Sequence, residues 1–282
     1  MKLQNIFYLT TLLLILTSPL YAADPYINKE HHELAQKAEE MGIKTPYGYT
    51  AHDPENLPSS DDVDHINDLI YPYAKWATYL THILDKGPKY LDKDVVIDLP
   101  APPANDSLET LYELHYLKRI TKLRTEENIE DIKFQNKTLI VMGAVDGTYP
   151  LTREFIMKTF PDVSYFILRE KKKFQRARPT QLDEKLTTVL PIPKHASYPS
   201  GHSGQAFWGA YVLAKLDPAN KSKYYDYAYN IAQNREIAGV HYPSDSLAGQ
   251  LMSPQLFDMF MEIPELKDLY SKAQEEWGII EE

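Results

Sequence analysis

PSGHSGQAFWGAYVLAKL, residues 199 to 216, is the stretch whose reading decides the fold. Ala206, Phe207, Ala210, Tyr211, Leu213 and Ala214 recur at helical spacing and make an apolar stripe broad enough for a helix inside a core, with Trp208 a core residue too. The helix opens at Pro199-Ser200-Gly201-His202. Backbone N–H groups of a first turn are unpaired, and the aligned peptide dipoles add partial positive charge there, so Ser200, Gly201 and His202 stand where an oxyanion would bind. Gly201 lets a ligand come close to the backbone. The plainer alternative makes Ser200 an N-cap and His202 an exposed first-turn residue.

Outward from this stretch the periodicity stays helical. Leu108, Leu111, Tyr112, Tyr116, Ile120 and Leu123 share one face of a helix that can start with Asp106 as N-cap, with Glu109 at capping-box spacing. Lys29 to Met41, between Asn28 and Gly42, reads as a second helix with a glycine cap, and two more run from about Lys221 to Ala238 and from about Asp245 to Met261. Apart from the short apolar run Thr138 to Met142, period-2 strands are absent, so the expected fold is all-α. Pro46 to Asp64, Asp98 to Asp106 with Pro100, Pro102 and Pro103, and Pro179 to Pro199 are irregular. Linkers this short suit one helical bundle, residues 96–282, carrying an N-terminal helical extension, residues 23–95.

The 43% hydrophobic content and 33 aromatic side chains (21 Tyr, 9 Phe, 3 Trp) are those of a globular chain. With no cysteine, a disulfide framework, a catalytic thiol, a thiolate zinc site and a cysteine-held iron–sulfur cluster are excluded. A net charge of −10 argues against a general nucleic-acid partner while leaving room for a local basic pocket. At the start, Lys2 precedes the apolar run Ile6 to Leu16, and a break at Pro19 is followed by Ala22-Ala23. Residues 1–22 therefore read as a secretory signal peptide, the apolar run being too short to cross roughly 30 Å of hydrocarbon. The expected location is periplasmic or secreted, with no integral membrane segment.

Two further segments carry chemistry. Between Arg169 and Arg178 six of ten positions are basic, Lys171 and Arg178 lying seven apart, about two helical turns; Pro179 pushes Arg178 towards an extended conformation in which its planar fork can meet a phosphate. A solvated charge run is the competing reading. Downstream come Arg235, His241 and Asp245: the helix holding Arg235 must end near Gly239, Pro243 and Ser244 begin the next, and His241 is left on a tight corner. Asp245 can accept the Nδ1 proton of His241 and leave Nε2 as a free nucleophile; a salt-bridged Arg and Asp beside a core His is the alternative.

In order, Lys171 to Arg178-Pro179, Pro199 to His202, and Asn234-Arg235 to His241 to Asp245 resemble the signature of the phosphatidic acid phosphatase type 2 superfamily, most closely the class A bacterial nonspecific acid phosphatases. The likeness extends over roughly Leu99 to Leu251, with Asn234 where the family has Ser. It implies a single-domain helical bundle of the kind shared with vanadium haloperoxidases, with 96–282 the acid phosphatase catalytic domain. It implies a metal-independent phosphomonoesterase needing no cofactor, acting on small phosphomonoesters. In that reading His241 attacks phosphorus and forms a phosphohistidine, Asp245 orients it, and a protonated His202 serves the leaving group. Lys171, Arg178 and Arg235, with Ser200 and the Gly201 amide, hold the phosphoryl oxygens. A vanadium-dependent haloperoxidase, an integral-membrane lipid phosphatase and a non-catalytic phosphate-binding protein are the alternatives.

The remaining features read as packing or surface. His31, His32, His52, His65, His82 and His115 lack metal-site spacing, Asp61, Asp62 and Asp64 sit on a solvated loop, and the sequon at Asn136 carries no weight. His195 lies close enough in sequence to border the site. The physiological substrate is not legible in these motifs, and a homo-oligomer is compatible with all of them.

Overall fold

Residues 69–137 and 148–279 are described in a computed structural model of the chain. The leader, the helix expected over Lys29 to Met41, the histidines His31, His32, His52 and His65, the aspartates Asp61, Asp62 and Asp64, and the run Thr138 to Met142 with the sequon's Thr138 lie outside them. Among the described residues every regular element is helical, and extended segments pair only at one antiparallel bridge, between Ile70 and Arg176. The all-α expectation holds.

After a 3-10 turn, Tyr73–Lys75, the helices are α1 (Thr78–Lys86), α2 (Leu108–Lys122), α3 (Glu126–Lys137), α4 (Pro150–Phe174), α5 (Pro179–Leu182), α6 (Gly201–Leu216), α7 (Lys221–Ile237), α8 (Pro243–Met261) and α9 (Pro264–Glu276). Helix α6 is the hub, packing on α7, α8 and α4, with α9 closing against α4. Trp208 on α6 is fully buried among Phe155, Phe257 and Phe260, and its Nε1 donates to Thr159 Oγ1 at 3.1 Å. Each such ring taken from water contributes about 1.5–3 kcal/mol, and because the indole N–H has found a partner, no polar penalty offsets the gain. No helix among the described residues is long and apolar enough to cross a membrane.

Helix α2 differs from the sequence expectation. Its N-cap is Ser107, whose hydroxyl accepts Thr110 N–H at 3.2 Å, not Asp106. The buried face runs through Leu111, Leu114 and Leu117 and takes Glu113 inside with them, while Leu108 and Leu123 are exposed. Helix α8 starts two residues before Asp245, at Pro243, a natural first helical position. Helices α3, α4 and α9 were not expected from the sequence, nor was α5, whose single turn opens the stretch Pro179 to Pro199 read as irregular. In α4 the interior Pro161 masks the helical signal, yet the helix continues through it for 25 residues.

Within the N-terminal extension, residues 69–95 pack onto the bundle. Asp162 on α4 accepts the backbone N–H groups of Lys89, Tyr90 and Leu91 at 2.6, 2.8 and 2.9 Å, and Trp76 and Leu80 bury themselves against Leu168 and Ala196.

Helices α6 and α8 touch backbone to backbone at Gly204 and Gly249. A Cβ on Gly249 would sit 2.7 Å from the Ser200 carbonyl oxygen and 2.8 Å from the Gly204 nitrogen. On Gly201 it would meet only Ile167 and Lys171 carbons at 3.8 and 3.9 Å. Gly249→Ala is therefore expected to lower stability by about 1–3 kcal/mol in urea titrations, through overpacking, while Gly201→Ala stays within about 0.5 kcal/mol. Equal effects would show that the contact between the two helices can yield.

Candidate active site

The three sequence segments converge because each ends an element at the same place. Helix α4 stops at Phe174, where Gln175 takes a left-handed conformation (φ 49°) and its N–H closes onto Lys171 O at 2.9 Å. Lys171 and Arg178 thus do not share a helix face as their spacing suggested: the helix delivers Lys171, and the chain reverses before extended Arg178, the N-cap of α5. Gly239 (φ 76°) turns the chain out of α7, and a Cβ there would lie 2.6 Å from Thr187 O, so glycine serves both the turn and the close approach. Arg124 fixes that corner by donating to Ile237 O (2.7 Å) and Thr187 O (2.8 Å).

Asp245, fully buried at the start of α8, organises the rest. Its Oδ2 accepts His241 Nδ1–H at 2.9 Å, Tyr242 N–H at 3.1 Å and the Ser197 hydroxyl, while Oδ1 faces Arg176 Nη1 at 2.8 Å. Its backbone carbonyl accepts Ser200 N–H at 2.8 Å, tying the start of α6 to α8. Burial alone would raise the Asp245 pKa, but Arg176, His241 and Ser197 outweigh it and hold the carboxyl below its usual range. Arg176 lies over the Tyr242 ring at 3.8 Å and bonds Glu113 Oε2 at 2.9 Å, while Glu113 Oε1 accepts Ser244 N–H at 2.6 Å.

The cations differ in how they are held. Lys171, fully buried, donates to Ala196 O and Ser197 O at 2.9 and 2.7 Å. Arg178 uses its whole guanidinium: Nε reaches His195 O (3.0 Å), Nη2 meets Ala196 O and His195 Nδ1 (both 3.1 Å), and Nη1 meets Val240 O (2.7 Å) and His241 Nε2 (3.1 Å). Arg235 is as deeply buried, yet its Nε and Nη1 have no protein partner. Burial lowers Arg235 to about 10, and burial together with Arg235 brings Arg178 to about 10, both still charged at neutral pH. Lys171 is pushed well down by burial and by Arg178.

The histidines follow from these partners. Burial, then Arg178, pushes the His241 pKa well down against the pull of Asp245, so the ring is neutral. With Asp245 accepting from Nδ1, Nε2 carries the lone pair, and that lone pair is not free as expected but faces an Arg178 N–H. Burial, Arg235, Lys171 and Arg178 together lower His202 to about 3. Sequence reasoning treats His202 as a protonated acid; with three cations around it and no anion, it is neutral. Ser200 caps α6, its hydroxyl accepting Ser203 N–H at 3.4 Å. Among the described residues no group of three or more His, Asp or Glu converges as metal ligands would.

Every residue singled out from the sequence for this site, His241, His202, Asp245, Lys171, Arg178, Ser200, Gly201 and Arg235, lies in or against this cluster. Arg176, Glu113, Ser197 and Ser244 were not singled out, and His195 was only a bordering residue. Arg176 belonged to the basic run, where nothing distinguishes a buried charge from solvated neighbours such as Lys173, whose side chain is 58% exposed.

Comparison with known proteins finds likeness to the same family. The PAP2 superfamily model matches residues 155–256, which hold Lys171 through Asp245. The chain is 26% identical over 210 residues to the non-specific acid phosphatase of Providencia stuartii, covering 67% of this chain and 84% of that one, and 26% identical over 195 residues to that of Salmonella typhi, covering 63% and 78%. The resemblance read from the three motifs is borne out. Among solved structures, a transmembrane PAP2-type phosphatidylglycerolphosphate phosphatase from Bacillus subtilis overlaps loosely, with a TM-score of 0.41 and 18% identity over 57% of this chain and 85% of that one.

Arg176→Met should cost about 3–5 kcal/mol of stability, because it strands Asp245 and Glu113 as buried charges. The exposed neighbour Lys173→Met should change it by less than about 0.5 kcal/mol. Denaturant titration of both variants checks the ranking.

Proposed function

We propose that this chain is an exported, metal-independent acid phosphatase that hydrolyses phosphate monoesters through a phosphohistidine at His241. The observation that carries the reading is His241 itself: neutral, oriented by Asp245 at Nδ1, with Nε2 turned into a ring of buried cations, two of whose N–H donors, on Arg235, have no protein partner. Buried donors without acceptors are costly unless a ligand supplies oxygens, and a phosphoryl group supplies three. The likeness to named acid phosphatases supports the reaction class, and the leader pattern supports export to the periplasm or medium.

In this mechanism Nε2 of His241 forms a bond to phosphorus as the ester P–O bond breaks. The Arg178 N–H that covered Nε2 passes to a phosphoryl oxygen, so the donor that shields the nucleophile at rest stabilises charge in the transition state. The leaving oxygen takes a proton from His202. Water then attacks phosphorus, His202 takes its proton back, the N–P bond breaks and inorganic phosphate leaves. Lys171, Arg178 and Arg235 supply the positive charge that offsets the transferred group.

His202 must gain a proton to act as acid. The cations that lower its pKa are offset by a bound dianion, so anion binding raises it and draws in a proton, or the substrate brings one as its monoanion. Either route favours the acid side of neutrality.

Hydrolysis of an aryl phosphate in EDTA should proceed, peak below pH 7, be inhibited by vanadate and fall to background in His241→Ala; persistence in that variant would overturn the phosphohistidine route. Sulfate, which does not titrate in this range, should raise the melting temperature more at pH 5 than at pH 8. The difference should flatten in His202→Asn, and if the wild type shows none, His202 is not the group that takes up the proton.

A further inference from the structure

Residues 69–77 lie outside the 155–256 match and form a strap pinned beside the cluster. Asn105 Nδ2 donates to Leu69 O at 2.8 Å, Ile70 bridges Arg176, Tyr71 N–H reaches Gln175 O at 2.8 Å, and Tyr73 N–H reaches Gln175 Oε1 at 3.2 Å. At its far end Ala77 N–H bonds Lys194 O at 3.1 Å. The strap is therefore clipped to the two segments that carry Arg178 and His195. Trp76, 7% exposed, stands edge-on to the His195 ring with centroids 6.0 Å apart, and Tyr71 packs on the same cluster of Trp76, Leu80, Leu168 and Ala196.

Burial shows where the site opens. Lys171, Arg178, Arg235, His241 and Asp245 are each at most 2% exposed. Among the groups around Arg178, Tyr71, His195 and His202 keep partial exposure. His195 contacts Arg178 directly, and Tyr71 packs in the cluster that includes Ala196, whose carbonyl accepts from the same guanidinium. A phosphoryl group seated on the cations must send its ester oxygen towards His202, so the rest of the substrate leaves along Tyr71 and His195.

We propose that Tyr71, with His195 propped by Trp76, forms the leaving-group wall of the site and selects flat aromatic over small alkyl phosphate monoesters. This rests on the phosphomonoesterase reading. Tyr71 offers an uncharged ring face beside a charged pocket; a flat aromatic group gains contact on it, whereas a hydrated polyol gains little.

The test is the ratio of kcat/KM for phenyl phosphate to that for glycerol 2-phosphate in wild type, Tyr71→Leu and Tyr71→Phe. In Tyr71→Leu the ratio is expected to fall by about three- to tenfold, the worth of one aromatic contact, mainly through KM for the aryl ester, and in Tyr71→Phe to stay near wild type. Inhibition by phenylphosphonate relative to methylphosphonate, which cannot be hydrolysed, should weaken by the same factor in Tyr71→Leu. An unchanged ratio in Tyr71→Leu, or an equal fall in Tyr71→Phe, overturns the wall while leaving the phosphatase reading intact. A folded wild type inert on both esters overturns the phosphatase reading and the wall with it.

Discussion

One buried carboxylate holds the molecule's working parts together. Through its two oxygens and its carbonyl, Asp245 reaches the corner bearing His241, the loop bearing Ser197, the end of α4 through Arg176, and the start of α6 through Ser200. Arg176 extends the tie to α2 through Glu113. Two buried carboxylates and one guanidinium are costly to separate, because each left alone would be an uncompensated buried charge. The network therefore favours this arrangement of the elements, and that arrangement sets the orientation of the His241 ring. The close glycine contact between α6 and α8 serves the same end, since any side chain there would separate Ser200 from Asp245.

Arg176 is offset by its two carboxylates; Lys171, Arg178 and Arg235 are not paired with any acid among the described residues. Lys171 and Arg178 rest on carbonyl oxygens, which satisfy N–H groups without cancelling charge. The interior is left with an uncancelled positive field, and its effect is read in the histidines: His195, His202 and His241 are all pushed down, burial first and the cations after it. A field that depresses imidazole and leaves Arg235 donors unmatched is complementary to a small dianion.

Much of this was legible in the sequence, because the site is built from three short segments whose residue types and internal spacings are themselves the chemistry. The corner at His241, the helix beginning at Gly201 and the extended Arg178 all follow from local rules about proline, glycine and first turns. What was not legible depends on distant contacts. Glu113 is one of two acids on α2, and its partner Arg176 lies 63 positions away; no periodicity marks it. The longest helix, α4, was missed because Pro161 interrupts the pattern, while tertiary packing of Phe155, Val163 and Phe166 carries the helix through it. The choice of Ser107 over Asp106 as N-cap is a one-residue difference that local propensity does not decide.

The contact between Arg178 and His241 joins the electrostatics to the chemistry. A neutral imidazole with Nδ1–H held by Asp245 has its lone pair at Nε2, and on a ring this deeply buried that lone pair needs a donor. Arg178 is the donor at hand, and its other groups are anchored on the carbonyls of His195, Ala196 and Val240, so its position is set by the fold and not by the histidine. In the proposed mechanism, binding a phosphoryl group changes the acceptor of this one N–H from nitrogen to oxygen, with little movement of the guanidinium. On that proposal the donor that faces His241 at rest is already beside the oxygen on which charge would gather, and the rearrangement that usually accompanies charge development has been made in folding.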